Sequence, residues 1–145
     1  GFTYETFQKS LFALHALSIK VIVHLILGLP HETRDMMTAS VQAIANLPVW
    51  GIKLQLLHVL SGTDLAAYYE KTHFPVFSMD EYCEMIIDCL ELLPPEMVIH
   101  RITGDGPKDL LIAPMWSTGK RTVLNQIHRR LKERNTYQGR LATKR

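Results

Sequence analysis

The chain has 145 residues, of which 47% are apolar and 21% charged, with sixteen Lys/Arg against fourteen Asp/Glu. That is the size of one domain, long enough to bury a core, and too apolar for an intrinsically disordered chain. No apolar run reaches the ~18 residues of a membrane span; the longest, Val21–Leu29, is interrupted by His24. Gly1 opens no basic-then-apolar leader, and two cysteines, Cys83 and Cys89, build no disulfide framework. A reducing, cytoplasmic setting without membrane contact is expected.

The net charge of +2 hides an asymmetry. Residues 120–145 hold nine of the bases and a single acid, Glu133, so the body is acidic and the tail basic. A basic tail suits RNA or another polyanion. The plainer reading is a charged helix face followed by a frayed end.

Taken in order, Thr3 can cap a helix with Phe7, Leu11, Leu14 and Leu17 on one stripe. Lys20–Leu27 reads as a strand covered on both faces. Gly28-Leu29-Pro30 ends it, and Thr33 caps a helix carrying Met37, Val41 and Ile44. Ile52–Leu60 is the second strand, and Ser61-Gly62-Thr63 breaks it before a short helix at Asp64–Lys71. Ser78 with Glu81 forms a capping box ahead of a helix bearing Tyr82, Met85, Ile86, Cys89, Leu90 and Leu93. Pro94-Pro95 stops it, Met97–Ile102 is the third strand, and a Thr103-Gly104-Asp105-Gly106-Pro107 loop follows. The last long helix spans about Ser117–Arg134, and residues past Tyr137 read as loose.

The order is α-β-α-β-α-α-β-α-α, which implies a parallel sheet. Three strands close no barrel, so the expectation is the C-terminal part of a larger α/β barrel. The division is 1–112 for the strand-bearing half and 113–145 for a C-terminal helical extension. Such a cut leaves the first strand with a bare edge, which favours self-association.

Parallel α/β folds bind ligands at the C-terminal ends of their strands. There Gly28 allows close backbone approach, Pro30 stiffens the turn, and Thr33 starts a helix whose amides face the cleft. On residues alone this is also an ordinary βα turn. His24, His58 and His100 each stand four residues before a glycine. Convergent imidazoles could hold zinc, but hydrogen-bonded interior histidines are the simpler reading, and no metal site is assigned. Asp105 between two glycines either faces a ligand or closes a β-turn on its own backbone. Cys83 and Cys89 lie about 120° apart around a helix and make poor joint ligands. Phosphate-loop, CxxC, HExxH and GxSxG patterns are absent.

Three stretches resemble one superfamily. Leu25-Ile26-Leu27-Gly28-Leu29-Pro30-His31-Glu32-Thr33 resembles the fifth-strand motif of radical S-adenosylmethionine enzymes. Gly51–Leu65 resembles their sixth strand with its Gly-Thr-x-Leu exit, as in the Elp3-like and coproporphyrinogen-oxidase-like branches. Arg101–Leu111, then Ala113-Pro114-Met115-Trp116-Ser117, then Tyr137-Gln138-Gly139, resemble the C-terminus of the YhcC-like family. The resemblance covers Phe2 to Gly139.

It implies a partial (β/α)6 barrel in which a 4Fe-4S cluster cleaves S-adenosylmethionine to a 5′-deoxyadenosyl radical. Gly28, Leu29, Pro30 and Glu32, with backbone near His58, Val59 and Leu60, would meet S-adenosylmethionine. His24, His58, Arg101, Thr103 and Asp105 would stand on the side of an unknown substrate. The family's CxxxCxxC cluster loop is absent from these residues. The enzyme reading therefore applies to a longer protein whose N-terminal barrel half supplies the cluster, and the 145-residue chain alone is expected to be inactive. His31 stands where the family usually has glycine, which would stiffen or block the turn. A non-catalytic module with an RNA-binding basic tail is the alternative.

Overall fold

A computed structural model describes residues 1–104 and 106–143. Asp105, Lys144 and Arg145 therefore lie outside the described residues. Thr3 caps α1 (Tyr4–Ala16), its side chain accepting from the Thr6 amide at 3.2 Å. β1 (Ile22–Leu27) leads through the Gly28–Thr33 turn into α2 (Arg34–Ala45), which Thr33 caps. β2 (Gly51–Leu56) follows, then β3 (Val59–Leu60), α3 (Asp64–Thr72) and α4 (Met79–Leu92). The capping box of α4 is complete: the Glu81 amide donates to Ser78 Oγ, and Glu81 Oε2 accepts from the Ser78 amide at 2.9 Å. β4 (Val98–Arg101), β5 (Leu111–Ala113), a 3-10 turn (Met115–Thr118) and α5 (Lys120–Glu133) complete the order.

β1, β2 and β4 form a parallel sheet with β2 in the centre. Its apolar positions alternate. Val23, Leu25 and Leu27 of β1, Ile52, Leu54 and Leu56 of β2, and Ile99 of β4 all pack into one core. Leu11 of α1, Met37, Val41 and Ile44 of α2, much of α4, and Val123 and Ile127 of α5 close that core from the same side. Period-2 alternation then turns the intervening residues to the other face.

The expectation that β1 is covered on both faces is corrected here, because His24 and Ile26 are exposed. The apolar run reads as doubly buried since its second-face residues are mostly apolar too. The α1 stripe also holds only in part. Leu11 is buried and Phe7 packs beside it, whereas Leu14 and Leu17 remain exposed.

Two further elements depart from the sequence reading. Ile52–Leu60 is not one strand. The ladder with β1 ends at Leu56, and Val59–Leu60 turns away to pair antiparallel with β5, Val59 opposite Ala113 and Leu60 opposite Leu111. Leu57, Val59, Ala66, Phe74 and Ala113 make a second, small core beneath that pair.

The segment after Tyr137 is also held rather than loose. Gln138 Nε2 donates to the Pro94 and Met97 carbonyls at 2.7 and 2.8 Å. The Gly139 and Leu141 amides donate to Leu90 and Glu91, giving the C-terminal carbonyls of α4 the partners that a helix end lacks.

Candidate functional site

The rim formed by the C-terminal ends of β1 and β2 carries two of the sequence-predicted groups side by side. The Leu57 amide donates to the Leu27 carbonyl at 3.0 Å, so the Gly28 turn and the β2–β3 break are neighbours. Gly28 has φ +87°, and a Cβ there would meet the Phe77 ring at 2.9 Å. Only glycine satisfies both constraints. Phe77 is in turn fixed by Trp116, whose indole Nε1 donates to the Phe77 carbonyl at 2.7 Å. The tryptophan therefore buttresses the turn from more than eighty residues away in sequence.

Glu32 locks the same turn from inside. Its Oε2 accepts from the Gly28 and Leu29 amides, both at 3.0 Å, while the Glu32 amide returns to the Leu29 carbonyl. A carboxylate that takes two amides presets the loop before any ligand arrives. His31 has φ +65°, the left-handed conformation for which glycine is the easy choice and histidine an occasional one. The turn is therefore not blocked: His31 adopts the shape glycine would, and its Nε2 pairs with the Tyr68 hydroxyl at 2.9 Å. Beneath it opens a cavity of about 700 Å³, lined among others by Leu29, Glu32, Tyr68 and Phe77.

Gly104 and Gly106 close on His58. A Cβ on Gly106 would stand 2.7 Å from His58 Nδ1, and one on Gly104 would run into the same imidazole. The two glycines are thus a cradle for His58. Thr103 lies half-buried beside them, and the preceding Ile102 carbonyl accepts from the buried Tyr82 hydroxyl at 3.1 Å. Burial holds the Tyr82 hydroxyl well above the usual tyrosine range, so it serves here as a neutral donor.

The three strand histidines do not converge. His24 is level with Lys53 in the β1–β2 register. His58 lies beyond the end of the β1–β2 ladder, which stops at Leu56. His100 packs over Gly51 at the opposite end of β2 and lies tilted against Trp50, ring centroids 5.4 Å apart. Among the described residues no group of three or more His, Cys, Asp or Glu is placed to hold a metal ion.

The cysteines do not fit an iron–sulfur cluster either. Both are buried in the main core. Burial raises the Cys83 thiol and pushes Cys89 up to about 12, whereas cluster ligation needs thiolates. The rim itself is preset and partly apolar. Leu29 there is 45% exposed and apolar, the turn is rigid, and the Leu57–His58 break brings backbone outside any ladder beside it.

The basic tail resolves as an intramolecular surface. Arg130 pairs with Asp80 and Glu84, and Arg134 with Glu84, Asp88 and Glu91. Arg129 pairs with Glu133 on the same helix. Part of the basic tail and part of the acidic body thus meet across the α4–α5 interface. No helix among the described residues is long and apolar enough to cross a membrane.

Sequence reasoning missed Phe77, Tyr68 and Lys53. The first two carry no local signal, because their partners lie 39 and 37 residues away. For Lys53 the signal was present: polar Lys53 and Gln55 alternate with buried Ile52, Leu54 and Leu56, the mark of a strand with one open face.

A mixed α/β layer with a parallel sheet backed by helices is the fold of a radical S-adenosylmethionine C-terminal region. The chain aligns with the archaeal Methanocaldococcus infernus Elp3 with an N-terminal deletion at a TM-score of 0.78, covering 95% of this chain and 32% of that one at 18% identity. The Radical_SAM C-terminal domain family matches residues 49–133, more than half of the chain, and the chain belongs to that family. Within it the chain is YhcC-like. It is 50% identical to YtqA of Bacillus subtilis (strain 168) over 121 residues, and 27% identical to YhcC of Escherichia coli (strain K12) over 133. These alignments cover 83% and 92% of this chain but 38% and 43% of the relatives, so the chain spans about two fifths of their length.

Proposed function

We propose that this chain is the C-terminal part of a radical S-adenosylmethionine enzyme, completed by an N-terminal barrel half that carries the 4Fe-4S cluster. The observation that supports this reading is the adjacency of the Gly28–Thr33 turn and the β2–β3 break at one rim, in a chain of the Radical_SAM C-terminal domain family. S-adenosylmethionine, when bound, supplies the radical chemistry. The residues of this chain bind and orient. Gly28, Leu29 and Pro30 offer the adenosyl side a close, preset surface, and Glu32 holds that surface in shape. Backbone at His58, Val59 and Leu60 forms the neighbouring wall. His24, His58, Arg101, Thr103 and Asp105 are assigned to the substrate side from sequence. No residue here holds the cluster, so the upstream half would supply its ligands and pair with the free edge of β1.

Anaerobic reconstitution with iron and sulfide tests the reading. The full-length protein is expected to assemble a 4Fe-4S cluster and to release 5′-deoxyadenosine from S-adenosylmethionine. The 145-residue chain alone should do neither. A full-length protein that takes up no cluster would end the proposal. The alternative RNA contact is disfavoured because Arg130 and Arg134 are engaged by the carboxylates of α4. Steeply salt-dependent RNA binding that disappears with residues 120–145 would restore it.

A further inference from the structure

The cavity of about 700 Å³ beneath the Gly28 turn lies on the helix side of the rim. Its walls are the start of α2, the end of α3, the 73–77 segment and the first turns of α4. Met37 and Met85 of the main core, with Phe74 and Phe77, make those walls apolar. Among the described residues, His58, Val59 and Leu60 take no part in the lining. The turn therefore has two sides, the β2–β3 break on one and this cavity on the other. Its volume falls within the roughly 300–1,000 Å³ of small-molecule sites.

The backbone around it is unusual. His31 and His73 both line the cavity, and both are left-handed, with φ +65° and +48°. A non-glycine residue pays for that conformation, and such residues collect at ligand sites.

The charge of the lining points to one class of ligand. Glu32 and Glu81 both line the cavity, and each commits one oxygen to holding its own loop. Glu32 Oε2 takes the Gly28 and Leu29 amides, and Glu81 Oε2 takes the Ser78 amide and hydroxyl at 2.9 and 2.7 Å. Among the described residues, each Oε1 is left without a hydrogen-bond partner. Arg34 in the same lining is already paired with Asp88. The N-termini of α2 and α4 favour anions, but their first turns already carry Asp35, Asp80 and Glu81. The unspent charge is therefore negative, beside apolar and aromatic walls. That combination suits a cation with an apolar body. No group of three or more His, Cys, Asp or Glu among the described residues is placed to make that cation a metal ion.

We propose that this cavity is a second ligand site, which takes a small primary amine with an aromatic or aliphatic body. The ammonium meets Oε1 of Glu32 or Glu81, and the body lies against the Phe and Met walls. The site does not depend on the function proposed above.

The test is isothermal titration of the full-length protein with tryptamine, and with indole-3-propionate as the same ring carrying the opposite charge. Tryptamine should bind, and indole-3-propionate should bind at least about tenfold more weakly. Glu81→Gln keeps a residue that completes a capping box and should weaken tryptamine binding about fivefold. Glu32→Gln keeps an acceptor for the turn amides and should weaken it in the same direction. Glu70→Gln, on α3 but outside the lining, should change nothing. Saturating S-adenosylmethionine should leave tryptamine binding in place. A wild type that binds no tryptamine overturns the proposal, as does equal binding of the two indoles, or equal tryptamine binding by wild type and both glutamine variants. Displacement of tryptamine by S-adenosylmethionine also overturns it, since the cavity would then belong to the adenosyl site. Glu81-dependent tryptamine binding in a protein that binds no S-adenosylmethionine sinks the enzyme reading and leaves this site standing.

Discussion

The central sheet has two faces of opposite character. On one, Val23, Leu25, Leu27, Ile52, Leu54, Leu56 and Ile99 meet four helices in a single core. On the other, His24, Ile26, Lys53, Gln55, Val98 and His100 stand without a covering layer of helices, and His24, Ile26 and His100 are exposed. Stability is therefore expected to reside on the helix side, and ligand chemistry on the open side and at the rim that joins the two. The same strands serve both because side chains alternate.

The largest effect that would break this division comes from the core. Leu54 is on the central strand and fully buried, so Leu54→Ala should cost about 3–4 kcal/mol by denaturant unfolding. A cost below about 1 kcal/mol would mean that the helix side is not the stabilising one. Glu32→Ala comes next. It removes the acceptor of two turn amides and should cost about 2 kcal/mol, with S-adenosylmethionine affinity falling in the intact protein.

Ser78→Ala should cost about 1 kcal/mol through loss of the cap of α4. Hydrogen bonds from the Ser78 side chain and then its backbone hold the Glu81 carboxyl below its usual value of 4.5. The folded form therefore prefers ionised Glu81. The contribution is present above that value and is lost as pH falls through the lowered one. Ser78→Ala should flatten this acid limb of the stability profile, and an unchanged limb would contradict the assignment. Smallest is Lys53→Gln, expected within about 0.5 kcal/mol of wild type in stability. A large destabilisation there would show that the open face is part of the core.

Local signals carried much of the fold. Thr3, Thr33 and Ser78 cap as their residue types suggest, and the strand–helix alternation implies the parallel sheet that is observed. The β2–β3 break was not legible, because Leu56-Leu57-His58-Val59 continues an apolar run without a turn residue. What redirects the chain is pairing with β5, some fifty residues on. The held tail was invisible for a related reason: backbone donors of Gly139 and Leu141 cap α4, and backbone bonds leave no side-chain periodicity. At the site, Gly28 was legible as a close-approach position and Gly104/Gly106 as a tight loop around Asp105. That His58 is what approaches Gly104 and Gly106 was not.

The central claim is that a cluster-bearing half belongs upstream of this chain. The most direct test is to read the coding sequence immediately 5′ of the Gly1 codon. The account predicts an in-frame α/β segment with a strand followed by CxxxCxxC. An in-frame upstream region without three such cysteines, or a start codon at this point, would contradict it.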